Sequence, residues 1–188
     1  SNLDAKLRRQ VREDIREIQQ KLGVTTIYVT HDQEEALAIS DKVIVMNNAV
    51  IAQEGNPKDL YNFPKNKFVA NFIGDANVVK AEIINKQSNT YELKLAEINV
   101  KIECDNDLNS SVSVALRPEK IEIKRSNDNN CIHATINNAS FVGSSYQYIL
   151  NSKLGKLYVI SNDTNDVFEV GEEVFLNLNE KDIRVLND

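Results

Sequence analysis

The 188-residue sequence contains no tryptophan, only two cysteines, three prolines and six glycines. The cysteines, Cys104 and Cys131, are too few for a disulfide scaffold, and their separation fits no metal-ligand spacing. No apolar run approaches the roughly 20 residues that a membrane-spanning helix needs. We therefore expect a soluble chain in a reducing compartment.

Positive charge is in the minority. The chain has 22 Lys and Arg residues against 28 Asp and Glu residues, which gives a formal charge of -6. Proteins that bind nucleic acid need clustered positive charge to displace counterions, so we expect no nucleic-acid partner. A charged fraction of 27% with 41% hydrophobic residues is typical of a globular protein rather than a disordered one.

Methionine is also scarce, because Met46 is the single one in the chain. The sequence starts directly on a helix-start signal, whereas natural N termini usually have a few loose residues before the first element. We therefore expect this chain to be a fragment of a longer protein.

The first third alternates helix and strand signals. One apolar stripe at three- and four-residue steps predicts a helix that ends at Gly23, and its members are Leu3, Leu7, Val11, Ile15, Ile18 and Leu22. Residues 25–30 and 42–46 are β-formers without polar alternation, which predicts two strands covered on both faces. Asp32 and Glu35 have the spacing of a capping box, so a helix should begin just after His31.

Two strands and one long helix cannot close an α/β sheet. We expect the missing strands to come from residues outside this chain or from another molecule. Without them, apolar faces at Ile27, Val29, Val43 and Val45 should be exposed and should drive dimerisation.

After Asn77 the pattern changes to short alternating strands separated by polar turns, which predicts a small barrel or sandwich. The strand pattern also repeats: the spacing of Val112, Val114, Leu116, Ile121 and Ile123 recurs in Val174, Leu176, Leu178, Ile183 and Val185. The fold class predicted is an α/β remnant at residues 1–75 followed by an all-β, OB-like barrel at residues 76–188.

Several segments resemble the ATPase subunits of ABC transporters. Residues 1–8 resemble the D-loop with the helix after it, and residues 25–36 resemble the switch-histidine segment nearly letter for letter. Residues 42–47, 55–57 and 68–74 resemble the end of the ATPase domain in the subgroup that imports sugars, polyamines or ferric iron. The accessory TOBE domain, an OB-like barrel, is resembled by residues 115–121 and 141–144.

The family's phosphate loop, Gln loop, Leu-Ser-Gly-Gly-Gln signature and Walker B acidic pair have no match in this sequence. A phosphate cradle needs a glycine-rich loop that opens a helix and a lysine that reaches the phosphates, and no Gly-Lys-Ser or Gly-Lys-Thr occurs here. We therefore expect this fragment to lack the nucleotide pocket and to be inactive alone. ATP and Mg²⁺ are expected in the full-length protein only.

The resemblance also implies roles for individual residues. His31 would bind the ATP γ-phosphate and help to hold the attacking water, although an isolated histidine is more often structural. Coupling of two ATP sites through the D-loop would fall to Ser1, Asn2, Leu3 and Asp4, and a helix cap is the alternative for Asp4. A structural pin of the barrel, with ligand contact as the alternative, is predicted for Arg117, Pro118 and Glu119. No residues cluster as a metal site.

The implied function is that of an importer's ATP-hydrolysing subunit. Two copies would form a homodimer at the cytoplasmic face of the membrane and act with transmembrane permease subunits and a solute-binding protein. Polyamine or ferric iron is favoured as the solute over sugar, and this fragment itself would serve dimerisation or regulation. The alternative is a stand-alone OB-like regulatory or ligand-binding module. With 12 basic and 17 acidic residues, the region 76–188 is a poor binder of phosphate backbones.

Overall fold

The computed structural model describes residues 5–105, 107–108, 110–127 and 130–187. Its packing defines two compact units, residues 1–63 and 64–188.

The first unit contains three helices and one two-stranded ribbon. Its elements are α1 (Ala5–Leu22), α2 (Gln33–Ile39), β1 (Val43–Asn47), β2 (Val50–Gly55) and α3 (Pro57–Asn62). Helix α1 ends as predicted, because Gly23 takes a φ of 63° and its N–H donates to the Gln19 carbonyl at 3.0 Å. Arg16 on α1 donates two hydrogen bonds to the Asp41 carboxylate, which follows α2.

The strand predicted at residues 25–30 is wrong for this structure. Residues 24–30 form no strand, and the side chains of Ile27 and Val29 are 89% and 91% exposed. A strand exists only as part of a hydrogen-bonded ladder, and no described strand lies beside this segment.

The second predicted strand exists, but it is covered on one face only. Strand β1 pairs antiparallel with β2 and buries Val43 and Val45, whereas Ile44 and Met46 are exposed. The prediction that Val43 and Val45 would be exposed is therefore wrong, while the predicted exposure of Ile27 and Val29 is confirmed. The alternation arises because successive side chains of a strand point to opposite faces.

The described residues of the second unit form ten strands, two 3₁₀ turns (Pro118–Lys120 and Glu180–Asp182) and one short α-helix, α4 (Lys67–Phe72). The strands are β3 (Asn77–Gln87), β4 (Thr90–Leu95), β5 (Ile98–Glu103), β6 (Ser111–Leu116), β7 (Ile121–Lys124), β8 (Ile132–Phe141), β9 (Tyr146–Ser152), β10 (Gly155–Ser161), β11 (Glu173–Leu178) and β12 (Arg184–Leu186). They form two antiparallel sheets with the orders β12-β6-β3-β4-β5 and β10-β9-β8-β11-β7. This confirms the predicted fold class, in which a small helix-containing part precedes a β domain.

The two sheets are related by an internal repeat in which each half exchanges its last strand. The first repeat is β3–β7 and the second is β8–β12, yet β7 pairs with β11 and β12 pairs with β6. Both first strands carry a bulge at the same place, after Ile83 in β3 and after Ile136 in β8. The repeat predicted from the sequence is thus confirmed.

Strand exchange makes the two halves one core. The largest fully buried side chains come from both repeats and pack in one cluster, which includes Tyr91, Leu93, Ile132, Tyr148, Leu150 and Leu176. Neither repeat completes its own sheet, so we expect both to fold together.

Helix α4 belongs to the packing of this β unit. Ala70 and Ala76 are buried against Ala115 and Leu186, and the Asn187 N–H donates to the Lys65 carbonyl at 2.8 Å. These contacts place the division between units at residues 63 and 64, whereas the domain boundary predicted from the sequence lies at residues 75 and 76.

The other repeat offers no comparable surface for a helix. In the exchanged-strand register, Ala115 corresponds to Asn177 and Leu186 corresponds to Lys124. Polar side chains therefore occupy the positions at which the first repeat buries α4, because only an apolar surface gains free energy by being covered.

Candidate functional site

His31 lies on a turn between segment 24–30 and helix α2, and its side chain is exposed. Asp32 caps the helix as predicted: its Oδ1 accepts hydrogen bonds from the N–H groups of Glu34 at 2.9 Å and Glu35 at 3.2 Å. The cap fixes where the helix begins, so the histidine is held immediately before the first helical turn.

The predicted capping box is only half formed. In a capping box the Glu35 carboxylate would accept from the Asp32 N–H, but that N–H donates to Thr30 Oγ1 at 3.0 Å instead. Thr30 Oγ1 in turn donates to Glu35 Oε2 at 2.8 Å. The Thr30 hydroxyl therefore stands between the two groups that a capping box would join directly.

Glu35 also reaches two further residues of the first unit. Its Oε2 accepts from the Tyr28 hydroxyl at 3.2 Å, and its Oε1 lies 3.9 Å from Arg12 Nη1 on α1. Desolvation and this hydrogen bond to Glu35 raise the pKa of the Tyr28 hydroxyl, so Tyr28 remains a neutral donor. The side chains of Tyr28, Thr30, Glu35 and Arg12 are thereby joined in one polar network, which includes the residue before His31.

Arg117, the first residue of the predicted motif Arg117–Glu119, is a buried charged side chain of the second unit. It precedes a 3₁₀ turn, Pro118–Lys120, and its Nη1 donates to the carbonyls of Ala70 at 3.1 Å and Ile73 at 2.5 Å. Those carbonyls belong to the end of α4, where helical acceptors lack intrahelical partners. These bonds join Arg117 to the end of α4; Pro118 is buried and Glu119 is half-buried.

A small cavity lies on the axis that relates the two repeats. Its volume is about 10 Å³, enough for roughly one water molecule. The eight lining residues are four pairs of counterparts: Leu116 with Leu178, Arg117 with Asn179, Lys120 with Asp182, and Ile121 with Ile183. The space is thus a packing feature of the repeat junction.

A larger cleft of about 320 Å³ lies between the first 3₁₀ turn, β7 and the loop after β10, with Phe168 in its wall. Its acidic side chains already have protein partners. Asp166 pairs with Arg125, Glu122 accepts from Asn177, and Asp163 caps its own loop through the N–H of Asn165. This cleft is open and polar, unlike the mainly apolar pockets that hold small molecules.

Among the described residues, no group of histidine, cysteine or carboxylate side chains has a metal-binding arrangement. The residues predicted to form a D-loop, Ser1, Asn2, Leu3 and Asp4, lie outside the described part of the chain. No described helix combines the length and the apolar character needed to cross a membrane.

Three side chains that join separate segments of the β unit were not predicted from the sequence. Asn77 and Asn130 each bind both backbone polar groups of a residue in the opposite repeat, Tyr158 and Asn99 respectively. Arg125 binds the loop after β10 through Asp166, Glu172 and the Val167 carbonyl, with its guanidinium 4.4 Å from the Phe168 ring centre. The only available signal was an asparagine at the start of both repeats.

In a comparison with protein families, residues 114–186 match the TOBE domain. This range runs from β6 to β12 and includes both 3₁₀ turns.

Comparison with curated proteins finds relatives that match the whole chain. It is 35% identical over 187 residues to the Fe(3+) ions import ATP-binding protein FbpC of Brucella melitensis, 36% identical to that of Agrobacterium fabrum and 38% identical over 193 residues to that of Fusobacterium nucleatum. The chain spans about half the length of these relatives, 53%, 53% and 51% respectively.

Among solved structures, the chain resembles the cytoplasmic molybdate-binding protein ModG in its molybdate-bound form. The TM-score is 0.48 at 8% sequence identity, and the match covers 57% of this chain and 92% of ModG.

Proposed function

We propose that this chain forms the switch-histidine and TOBE part of an ATP-binding subunit of an ABC importer. Residues 114–186 match the TOBE domain, and the whole chain is related to the ATP-binding subunits of such importers. The subunit would hydrolyse ATP to energise the uptake of a small solute. Ferric iron is the solute we favour, because the similar proteins are ferric-ion import subunits, and polyamine and sugar are the alternatives.

The observation that carries this proposal is the His31 turn. An exposed imidazole precedes a capped helix, and its segment matches the family's switch-histidine segment nearly letter for letter. One ring nitrogen of a histidine can donate to a γ-phosphate oxygen while the other is fixed by a neighbour. We assign His31 to that contact and to the alignment of the attacking water.

The first unit has the surface of an incomplete domain. The first unit is about half the length of the second. Most of the exposed large apolar side chains nevertheless lie in the first unit, among them Leu7, Val11, Leu22, Ile27, Val29, Ile44 and Met46. Exposed apolar area of this extent marks an interaction surface. We propose that the rest of the ATPase domain, with the phosphate loop, the Walker B residues and the signature motif, covers it.

The nucleotide would therefore be held largely by residues outside this chain. ATP and Mg²⁺ would bind the complete subunit, and Ser1, Asn2, Leu3 and Asp4 would couple the two nucleotide sites of a homodimer. Transmembrane permease subunits and a solute-binding protein would complete the importer at the cytoplasmic face of the membrane. In this arrangement Arg117, Pro118 and Glu119 have a structural role, in which Arg117 fastens α4 to the β unit, rather than contact a ligand.

The test is a substitution of His31 in the full-length subunit. With His31→Ala we expect ATP turnover to fall by at least about a hundredfold, because a group that stabilises transition-state charge is lost. The affinity for ATP should remain. His133→Ala is the matched control, since His133 is the one other histidine, is exposed and lies on β8. Unchanged turnover in His31→Ala would overturn the proposed function.

A stand-alone binding module is the second candidate. Only the volume of the cleft beside β7, about 320 Å³, supports this candidate, because the walls of the cleft are open and polar, unlike those of most small-molecule sites. The similarity to importer subunits also covers the residues before the TOBE match. This favours the importer subunit over a stand-alone module.

A further inference from the structure

Glu35 joins three parts of the first unit around the His31 turn. It lies on α2, it accepts hydrogen bonds from Thr30 and Tyr28 of segment 24–30, and it faces Arg12 of α1. Its side chain is only 14% exposed and that of Arg12 is 17% exposed. We propose that Glu35 is a positioning residue that fixes the turn carrying His31, an inference that rests on the function proposed above for that histidine.

Glu35 acts, through Thr30, on the peptide group that follows His31. The Asp32 N–H, which belongs to that peptide group, donates to Thr30 Oγ1 at 3.0 Å. An ionised carboxylate can only accept, so the Thr30 hydroxyl must donate its proton to Glu35 and present a lone pair to Asp32. Glu35 thus orients the acceptor that holds this peptide plane.

Glu35 also holds the segment that arrives at His31. Within the described residues, segment 24–30 has no ladder partner, so side-chain contacts must hold it. Tyr28 and Thr30 both donate to Glu35 Oε2, at 3.2 and 2.8 Å. The two hydroxyls, two positions apart in the chain, are therefore held by the same carboxylate oxygen.

The network also depends on charge. Arg12 lies 3.9 Å from the other carboxylate oxygen, and both side chains are largely buried. A hydrogen bond to an ionised acceptor is stronger than a neutral one, and the Arg12 guanidinium places the opposite charge beside the Glu35 carboxylate. The network therefore needs both the shape and the charge of a glutamate. Asp32 alone cannot replace it, because Asp32 holds the helix start and not the arriving segment.

The first experiment observes His31 directly in this chain. The sequence has two histidines, so a ¹H–¹³C spectrum of the imidazole groups has two Cε1 signals, and His133 serves as the internal reference. In Glu35→Ala and Thr30→Val we expect the His31 signal to shift and the His133 signal to stay. The Asp32 amide should exchange with solvent about tenfold faster, the equivalent of one lost hydrogen bond.

Glu34→Ala is the matched control for these variants. Glu34 is the adjacent glutamate on the same helix and is exposed, so its removal should leave both histidine signals unchanged. Glu35→Gln keeps the shape of the side chain without its charge, so its His31 signal and Asp32 exchange rate should lie between those of Glu35→Ala and of the wild type. If Glu35→Ala loses helical circular dichroism, Thr30→Val decides, because it leaves the Asp32 cap intact. Unchanged His31 signals in both variants would overturn the positioning role.

The second experiment measures ATP hydrolysis by the full-length subunit. Glu35→Ala should lower kcat about ten- to a hundredfold, the cost of a misplaced reacting group. Its KM for ATP should stay within about twofold, since the loss would be confined to the transition state. If His31→Ala leaves turnover unchanged, the proposed function fails. If His31→Ala abolishes turnover and Glu35→Ala leaves kcat intact, the positioning inference alone fails.

Discussion

The side-chain amide of Asn77 pairs with both backbone polar groups of Tyr158: its Nδ2 donates to the Tyr158 carbonyl and its Oδ1 accepts from the Tyr158 N–H, each at 2.7 Å. Asn77 opens the first strand of one repeat, and Tyr158 lies on β10, the edge strand of the sheet built mainly by the other. The amide takes the place that a neighbouring strand would occupy. It therefore closes an edge that would otherwise offer unpaired backbone groups.

Replacing Asn77 should destabilise the β unit. Asn77 is buried, and Asn77→Ala leaves the part-buried N–H and carbonyl of Tyr158 without their side-chain partner, so we expect the free energy of unfolding to fall by about 2–4 kcal/mol in urea denaturation. Asn130→Ala is the matched control: Asn130 makes the corresponding pair of bonds to Asn99 but is exposed, so water replaces it and the loss should stay under about 1 kcal/mol. Equal losses for both variants would contradict this explanation.

Arg117 should be required for the attachment of α4. Arg117→Met keeps most of the buried volume but removes the donors to the carbonyls of Ala70 and Ile73, and we expect a loss of about 2 kcal/mol or more. Residues 64–75 should also become sensitive to limited proteolysis. The counterpart variant Asn179→Ala removes only a cap bond to the Lys181 N–H, and it should leave this segment protected. Protection of residues 64–75 in Arg117→Met would argue against the pin.

The contact between Arg16 and Asp41 should make the first unit sensitive to acid. The hydrogen bond from Arg16 holds the pKa of the Asp41 carboxyl below its ordinary value of 3.8. A lowered pKa in the folded state means that the stabilisation is present above pH 3.8 and is lost as the pH falls through the folded-state value. Thermal unfolding followed by helical circular dichroism should therefore separate wild type from Asp41→Asn at pH 7. The two should converge at the lowest pH, and a constant difference at all pH values would contradict the assignment.

Self-association of this chain should depend on the first unit. Val29 is 91% exposed, and Val29→Asp should weaken dimerisation by at least about tenfold, because burial of one valine contributes about 1.5 kcal/mol or more. Val170→Asp is the matched control, since Val170 is an exposed valine of the second unit. Sedimentation equilibrium measures both. An equal response of the two variants, or a wild-type chain that remains monomeric at high concentration, would reject an interface formed by segment 24–30.

Local signals were predictable from the sequence because their causes are local. The Asp32 cap, the helix end at Gly23 and the alternation of the barrel strands each depend on residues within a few positions of one another. The repeat was also visible, because the same spacing occurs twice. The roles of His31 and of Ser1, Asn2, Leu3 and Asp4 stay predictions from the family resemblance.

The sequence by itself determined the caps, the strand periodicity and the duplicated unit of this protein. The tertiary structure decided that β7 and β12 are exchanged between sheets, that segment 25–30 is neither strand nor helix, and that Glu35 binds Thr30 rather than the Asp32 N–H. The physical reason is that a ladder or a side-chain network depends on which distant groups arrive beside it. A β-former without a neighbour cannot make a strand, and a glutamate binds whichever donors the packing brings within reach.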